Sequence, residues 1–209
     1  MILDKLEDLR REAYVRAIIR ASESDSVVGY AGRKIPVEIF HAMGLTPYPI
    51  YGIDREILSF STEKNLCPLI DATVTYAKTD KCPLIHSSKL IVVDDTCPTM
   101  TKELTKVKDV YVYDGDENLI SKLREVYRCD DVQSDVLMSI QTKLQRISDF
   151  IKSLGLPEMQ AFTIEYFVKF LDVDERMKFL ADFSSDELRS FNDVHEFVSL
   201  IYGCANCKQ

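Results

Sequence analysis

Hydrophobic and polar positions in the first half of the chain follow two alternating patterns. Short apolar runs bounded by charge or glycine cover residues 27–32, 89–94 and 110–113, as is typical of buried parallel strands. Between them, residues 36–44 and 117–127 carry helical signals. Since strands alternate with helices, the pattern predicts an α/β fold with a doubly wound, mostly parallel, Rossmann-like sheet. A further strand is predicted at 48–51.

Both ends of the chain have helical periodicity. Leu6, Leu9 and Ala13 recur at helical spacing and predict an amphipathic first helix. After Cys129 the strand signals stop. We therefore predict a cysteine-bearing α/β domain at 1–130, with a leading helix, and a helical subdomain at 131–209. Its predicted helices cover residues 136–154, 163–180 and 185–202, with a break at 155–157.

Composition and charge exclude several classes of protein. The 209 residues are 46% hydrophobic and 29% charged, which is typical of a globular chain and not of a disordered one. A net charge of -8 argues against a nucleic-acid binder. No apolar run is long enough for a membrane span, and charges interrupt the N-terminus where a secretory signal would be apolar. We therefore expect a cytoplasmic protein whose six cysteines are reduced and available to metals.

The dipeptide Cys-Pro occurs at Cys67, Cys82 and Cys97, at equal intervals of fifteen residues. A proline after a cysteine lacks a backbone N–H and suits the first position of a helix. Such a helix can direct its leading thiolate into a cleft. Iron–sulfur clusters need several thiolates, which need not be adjacent in sequence. The spacing therefore indicates a metal site, whereas isolated cysteines more commonly serve as small buried hydrophobic residues.

The tail contains a C-x-x-C pair, Cys204 and Cys207, whose spacing suits zinc, an iron–sulfur cluster or dithiol exchange. We include both cysteines among the candidate metal ligands. Cys129 has no such context and is interpreted as structural or incidental.

Candidate residues other than cysteine follow the strands predicted at 27–32 and 89–94. The glycines after the first strand, with Arg33 and Lys34, could receive an anionic ligand at the start of a helix. Neither the dinucleotide-binding nor the P-loop fingerprint is present. His41 is a candidate pocket residue, although such a histidine is more commonly a core or capping group. Asp94 and Asp95 could perform acid–base chemistry, but we favour a role in a turn or helix cap.

Several segments together resemble the 2-hydroxyacyl-CoA dehydratase and benzoyl-CoA reductase subunit family. Gly29-Tyr30 and the segment IPVEIFHAMG at 35–44 are similar to the opening of that family. The segments NLCPLI at 65–70, DKCP at 80–83 and DTC at 95–97 are similar to its cysteine segments, in the same order. The resemblance extends over residues 27–115.

The resemblance implies a subunit that holds a 4Fe-4S cluster. Cys67 and Cys97 correspond to the two cluster ligands of the family's first domain, and Cys82 matches a cysteine of some members. His41 lies within one of the matching segments, and the resemblance therefore makes it a candidate catalytic residue. In the family, an ATP-dependent activator supplies one electron, which forms a ketyl radical from an acyl-CoA thioester.

Family subunits are longer than this chain, and their second α/β domain supplies a further cysteine ligand. The first functional hypothesis is therefore a dehydratase-type subunit that acts on an acyl-CoA only with a second subunit and the activator. The alternative is a non-catalytic metal-binding or electron-transfer protein that keeps the α/β scaffold. Neither hypothesis involves nucleic acid or a membrane.

Overall fold

The computed structural model describes residues 2–62 and 67–204. Within these residues the chain forms a four-stranded, fully parallel sheet with the strand order β2-β1-β3-β4, which confirms the Rossmann-like α/β prediction. All the predicted strands of the first half are present. They are β1 (Val27–Ala31), β2 (Thr46–Pro49), β3 (Ile91–Val93) and β4 (Val110–Val112).

Helices surround the sheet and continue beyond it. In the described residues they are α1 (Ile2–Ser24), α2 (Val37–Ala42), α3 (Pro68–Lys78), α4 (Pro83–Ser87), α5 (Pro98–Leu104), α6 (Asp116–Tyr127), α7 (Ser134–Ser153), α8 (Glu158–Val168), α9 (Val173–Ala181), α10 (Ser185–Arg189) and α11 (Glu196–Cys204). A 3-10 helix, Arg55–Phe60, precedes α3.

Strands β1, β2 and β3 are buried throughout, whereas the edge strand β4 is only partly buried and its Val112 is exposed. Alternate residues of β1 belong to different hydrophobic cores, with Val27 and Ala31 in the larger and Val28 and Tyr30 in the smaller. Side chains alternate across a strand, so both cores need apolar residues from β1. This explains why the strand is a continuous apolar run and not an alternating one.

The larger core continues into the C-terminal helices. Phe167, Phe170 and Leu180 belong to the same buried cluster as Leu6 of α1 and Ile91 of β3. Helices α8 and α11 pack on each other, and they contact α1 and α3 respectively. The segment 131–204 therefore completes the core that lies against the sheet, and the division of the chain after residue 130 stays a prediction.

Two predicted helices are each interrupted, which corrects the prediction. The segment 163–180 contains the end of α8 and most of α9, because the chain turns between them. Arg176 caps this turn: its Nε donates to the carbonyl of Leu171 at 3.0 Å and its Nη2 to that of Lys169 at 3.4 Å. The segment 185–202 is likewise divided into α10 and α11.

Strand β2 begins two residues before its predicted position. The Thr46 amide donates to the carbonyl of Ser26 at 2.9 Å, which starts the pairing with β1. Pro47 and Pro49 are tolerated because β2 is an edge strand, where one row of amide groups is not needed for pairing.

None of the helices in residues 2–62 and 67–204 combines the length and the apolar character that a membrane crossing requires.

Gly52 sets the close approach of the loop after β2 to α3. Its amide donates to the Thr73 hydroxyl at 2.9 Å, and a Cβ at this position would lie 2.6 Å from the backbone carbon of Ala72. We expect Gly52→Ala to lower the free energy of unfolding by about 1–3 kcal/mol through overpacking. Urea unfolding measures the change. Gly203→Ala is the control, since a Cβ there meets no atom within 4 Å, and equal losses for both variants would contradict this account.

Candidate functional site

The strand order creates a crevice at the carboxyl ends of the central strands β1 and β3. From β1 the chain passes to β2 on one side, and β3 then pairs with β1 on the other. Ligand sites in open parallel sheets lie beyond the carboxyl ends of the strands at such a point. A cavity of about 490 Å³ lies here, lined by Ala31 at the end of β1 and by Val93 and Asp94 at the end of β3.

Three cysteines line this cavity, although they are far apart in the sequence. Cys67 precedes α3, Cys97 precedes α5, and Cys204 is the last residue of α11. Cys67 is exposed, and the other two are partly buried. The structure therefore brings together three of the five cysteines predicted as metal ligands.

The Cys-Pro dipeptides determine the local backbone around these thiols. Cys67, Cys82 and Cys97 are each the N-cap of a helix whose first residue is the proline, as the sequence predicts. At Cys97 the thiol also accepts a hydrogen bond from the Met100 amide, with a nitrogen–sulfur distance of 3.4 Å. Hydrogen bonds of this kind stabilise a thiolate and tune the potential of a bound cluster.

The donor set fits an iron–sulfur or zinc site in its chemistry. Thiolates are soft ligands that select these metals, and Ile70, Val93 and Met100 supply apolar walls. As they stand, no three His, Cys, Asp or Glu side chains in residues 2–62 and 67–204 are arranged to hold a metal ion. The thiols thus share a cavity without forming a closed coordination shell, and binding requires them to converge.

Asp94 joins the loops that follow β1 and β3. Its Oδ2 accepts hydrogen bonds from the amides of Arg33 and Lys34 at 2.8 and 3.1 Å, and its Oδ1 accepts one from the Thr96 amide at 3.0 Å. Gly32 permits this approach, because a Cβ there would lie 2.5 Å from the Asp94 carboxyl carbon. The turn interpretation of Asp94 is confirmed. The amides of Arg33 and Lys34 are therefore occupied by this carboxylate.

The side chains of Arg33 and Lys34 have separate partners. Lys34 Nζ lies 2.6 Å from Asp95, and this hydrogen bond lowers the pKa of the exposed Asp95 carboxyl. The Arg33 guanidinium stacks on Phe162 and Tyr202, with 5.4 and 5.3 Å to the ring centroids. Since Tyr202 is two residues before Cys204, Arg33 attaches the end of α11 to the loop after β1.

Two other predicted site residues lie away from the cavity. Cys82 is 1% exposed in the larger core, and burial raises the pKa of its thiol. His41 is on α2, where burial and then the charge of Arg176 lower its pKa to about 3, so its imidazole is neutral at pH 7. Neither residue lines the cavity. Cys207 lies outside the described residues.

Tyr51 is a cavity residue that sequence reasoning did not identify. It follows β2 and lines the cavity with the cysteines. Burial is the main cause that raises the pKa of Tyr51 well above its ordinary value, and the charges of Asp94 and Cys204 add to it. The hydroxyl therefore keeps its proton at neutral pH. A tyrosine at the end of an apolar run has no distinguishing sequence signal, and its position became evident only from the packing.

Comparisons with known proteins assign no family to this chain. A scan against protein-family models finds no match, and a search of curated proteins returns no significant relative.

Proposed function

We propose that this protein binds a 4Fe-4S cluster in the cysteine-lined cavity and acts as the iron–sulfur subunit of a 2-hydroxyacyl-CoA dehydratase-type system. The observation that carries the proposal is that Cys67, Cys97 and Cys204 line one cavity at the carboxyl ends of β1 and β3. These thiols come from three separate elements, so their common position depends on the whole fold.

The three cysteines would hold the cluster, and Cys207 or a residue of a second subunit would supply a fourth ligand. When bound, the cluster provides one low-potential electron for ketyl-radical chemistry on an acyl-CoA thioester. The chain's own residues prepare the site. The Met100 amide stabilises the Cys97 thiolate, the apolar side chains restrict the access of water, and Arg33 holds the helix end that carries Cys204.

One observation favours the alternative, a metal-binding or electron-transfer protein without dehydratase activity. Among the described residues, no lysine or arginine lines the cysteine cavity, and Asp94 takes the amides of Arg33 and Lys34. These residues therefore offer little to the phosphates of coenzyme A. On either proposal the chain binds a thiolate-ligated metal centre, and the acyl-CoA site would need surfaces from a second subunit.

Anaerobic reconstitution with iron and sulfide tests the shared part of both proposals. We expect a brown protein with about four iron and four sulfide per chain and an EPR signal on reduction, as for a cubane cluster. Tight binding of zinc without sulfide incorporation would contradict the iron–sulfur assignment. Failure to retain either metal would contradict both proposals.

Two truncations separate the roles of the tail cysteines. Removing residues 203–209 eliminates Cys204 and Cys207, whereas removing 205–209 eliminates Cys207 alone. Because Cys204 lines the cavity, we expect the longer truncation to lose the cluster. The shorter truncation should keep the cluster, provided that another ligand replaces Cys207. Iron content and the EPR spectrum are measured for both truncated proteins. An unchanged cluster in the longer truncation would exclude Cys204 and Cys207 as ligands.

A further inference from the structure

A second cavity, of about 530 Å³, shares no lining residue with the cysteine cavity. It lies between the first half of α1, the loop that leads into the 3-10 helix, Tyr76 of α3 and the start of α11. Its walls combine buried aromatic rings with groups of both charges, so it differs chemically from the apolar, thiol-lined site.

Arg10 is the buried cation of this cavity. It is 4% exposed, and its guanidinium stacks on the rings of Tyr14 and Tyr76, at 5.1 and 5.5 Å from their centroids. Its Nη1 donates to Asp54, which also accepts from the Tyr76 hydroxyl. Nε and Nη2 of Arg10 are buried and have no hydrogen-bond partner among the described residues, and the same holds for the Tyr14 hydroxyl.

Unpartnered buried polar groups are rare in native proteins, because each one loses its hydrogen bonds to water without replacement. An arginine side chain only donates hydrogen bonds. Burial raises the pKa of Tyr14, so its hydroxyl also keeps its proton. The missing partners of the Arg10 nitrogens must therefore be acceptors, and the Tyr14 hydroxyl can donate to the same group. A carboxylate offers two acceptor oxygens in a planar arrangement that matches the guanidinium.

The charged groups that line the cavity are acidic in balance. Four carboxylates and three guanidinium groups line the cavity. Arg55 is paired with Glu196, and Arg11 with Asp8 outside the cavity. Among the described residues, Glu7 and Glu56 have no lysine or arginine partner within 4 Å. A carboxylate oxygen of Glu7 lies 3.7 Å from Nε2 of the His195 imidazole. A simple anion would be repelled by these carboxylates, whereas a ligand with an added ammonium group would be attracted.

We propose that this cavity binds a free amino acid, whose carboxylate accepts hydrogen bonds from Arg10 and Tyr14 and whose ammonium group faces Glu7 and Glu56. The neighbouring rings of Tyr76 and Phe167 provide apolar contact for the side chain. This site is independent of the proposed metal centre, because the two cavities have no lining residue in common.

Calorimetric titration of the full chain tests the proposal with three matched probes for each amino acid of a panel. The free amino acid carries both charges, its N-acetyl derivative only the carboxylate, and its amide only the ammonium group. We expect binding of at least one free amino acid, and affinity about tenfold lower or more for both blocked forms, since each loses hydrogen bonds to a charged group. Equal binding of the N-acetyl form, or no binding of any free amino acid at millimolar concentration, would overturn the proposal.

Tyr14→Phe removes one unpartnered hydroxyl and keeps the ring, so the fold should be preserved. We expect about tenfold weaker binding of the amino acid, because one donor to its carboxylate is lost. Tyr166→Phe is the matched control, because the Tyr166 hydroxyl is also buried and unpartnered among the described residues but does not line the cavity. Unchanged affinity in Tyr14→Phe, or an equal loss in both variants, would contradict the assignment of the carboxylate to Arg10 and Tyr14.

Discussion

Replacing Cys67, Cys97 and Cys204 together with alanine should reduce the iron and sulfide of the reconstituted protein to background. Each single substitution should lower iron retention at least about tenfold, since changes that only affect the surroundings of a metal ligand already cost about 10–100-fold in affinity. The measurements are iron and acid-labile sulfide per chain, with the visible absorption and EPR spectra. Circular dichroism verifies that each variant is folded.

Two further cysteines make this experiment specific. Cys129→Ala is the matched control, because Cys129 is partly buried and does not line the cavity. Cys82→Ala tests the sequence hypothesis that all three Cys-Pro cysteines are ligands. Because Cys82 is buried in the larger core, we expect full cluster content in this variant. Loss of the cluster in Cys82→Ala, with retention in the triple variant, would reverse the assignment.

The second large effect concerns dehydration of an acyl-CoA. The reconstituted chain should give no product from 2-hydroxyacyl-CoA esters when it is mixed anaerobically with an ATP-dependent activator, ATP and reductant. Turnover should appear only when a second dehydratase-type subunit is added. A radical intermediate must be shielded from water, and the cavity of this chain lacks lysine and arginine among its described lining residues.

Formation of enoyl-CoA is the measurement in this assay, and the triple cysteine variant with the second subunit is the control. Product from the chain and activator alone would show that this chain is a complete enzyme. Absence of product even with the second subunit, in a protein that holds its cluster, would support the electron-transfer alternative.

The sequence alone determined the α/β fold class with its parallel strands, because the signals for strands and helix starts are local and repeated. Continuous apolar runs predicted β1 and β3, since strands buried on both faces need apolar residues at every position. A similar run predicted β4, although this edge strand is only partly buried. The Cys-Pro dipeptides predicted three helix starts, because proline suits the first helical position. The prediction failed where a turn interrupts a helix: the hydrophobic pattern continues from α8 into α9, yet Arg176 caps a turn between them through carbonyls five and seven residues earlier. Hydrophobic periodicity does not report this side-chain capping.

Only the tertiary structure decided which candidate residues meet. Equal spacing made Cys67, Cys82 and Cys97 equivalent in the sequence, yet Cys82 lies in the core while the other two share a cavity with Cys204. Asp94 takes the amides of Arg33 and Lys34 because Gly32 allows its carboxylate to approach. Such contacts join residues far apart in the chain, and the strand order and helix packing determine them. Local periodicity carries no information about either.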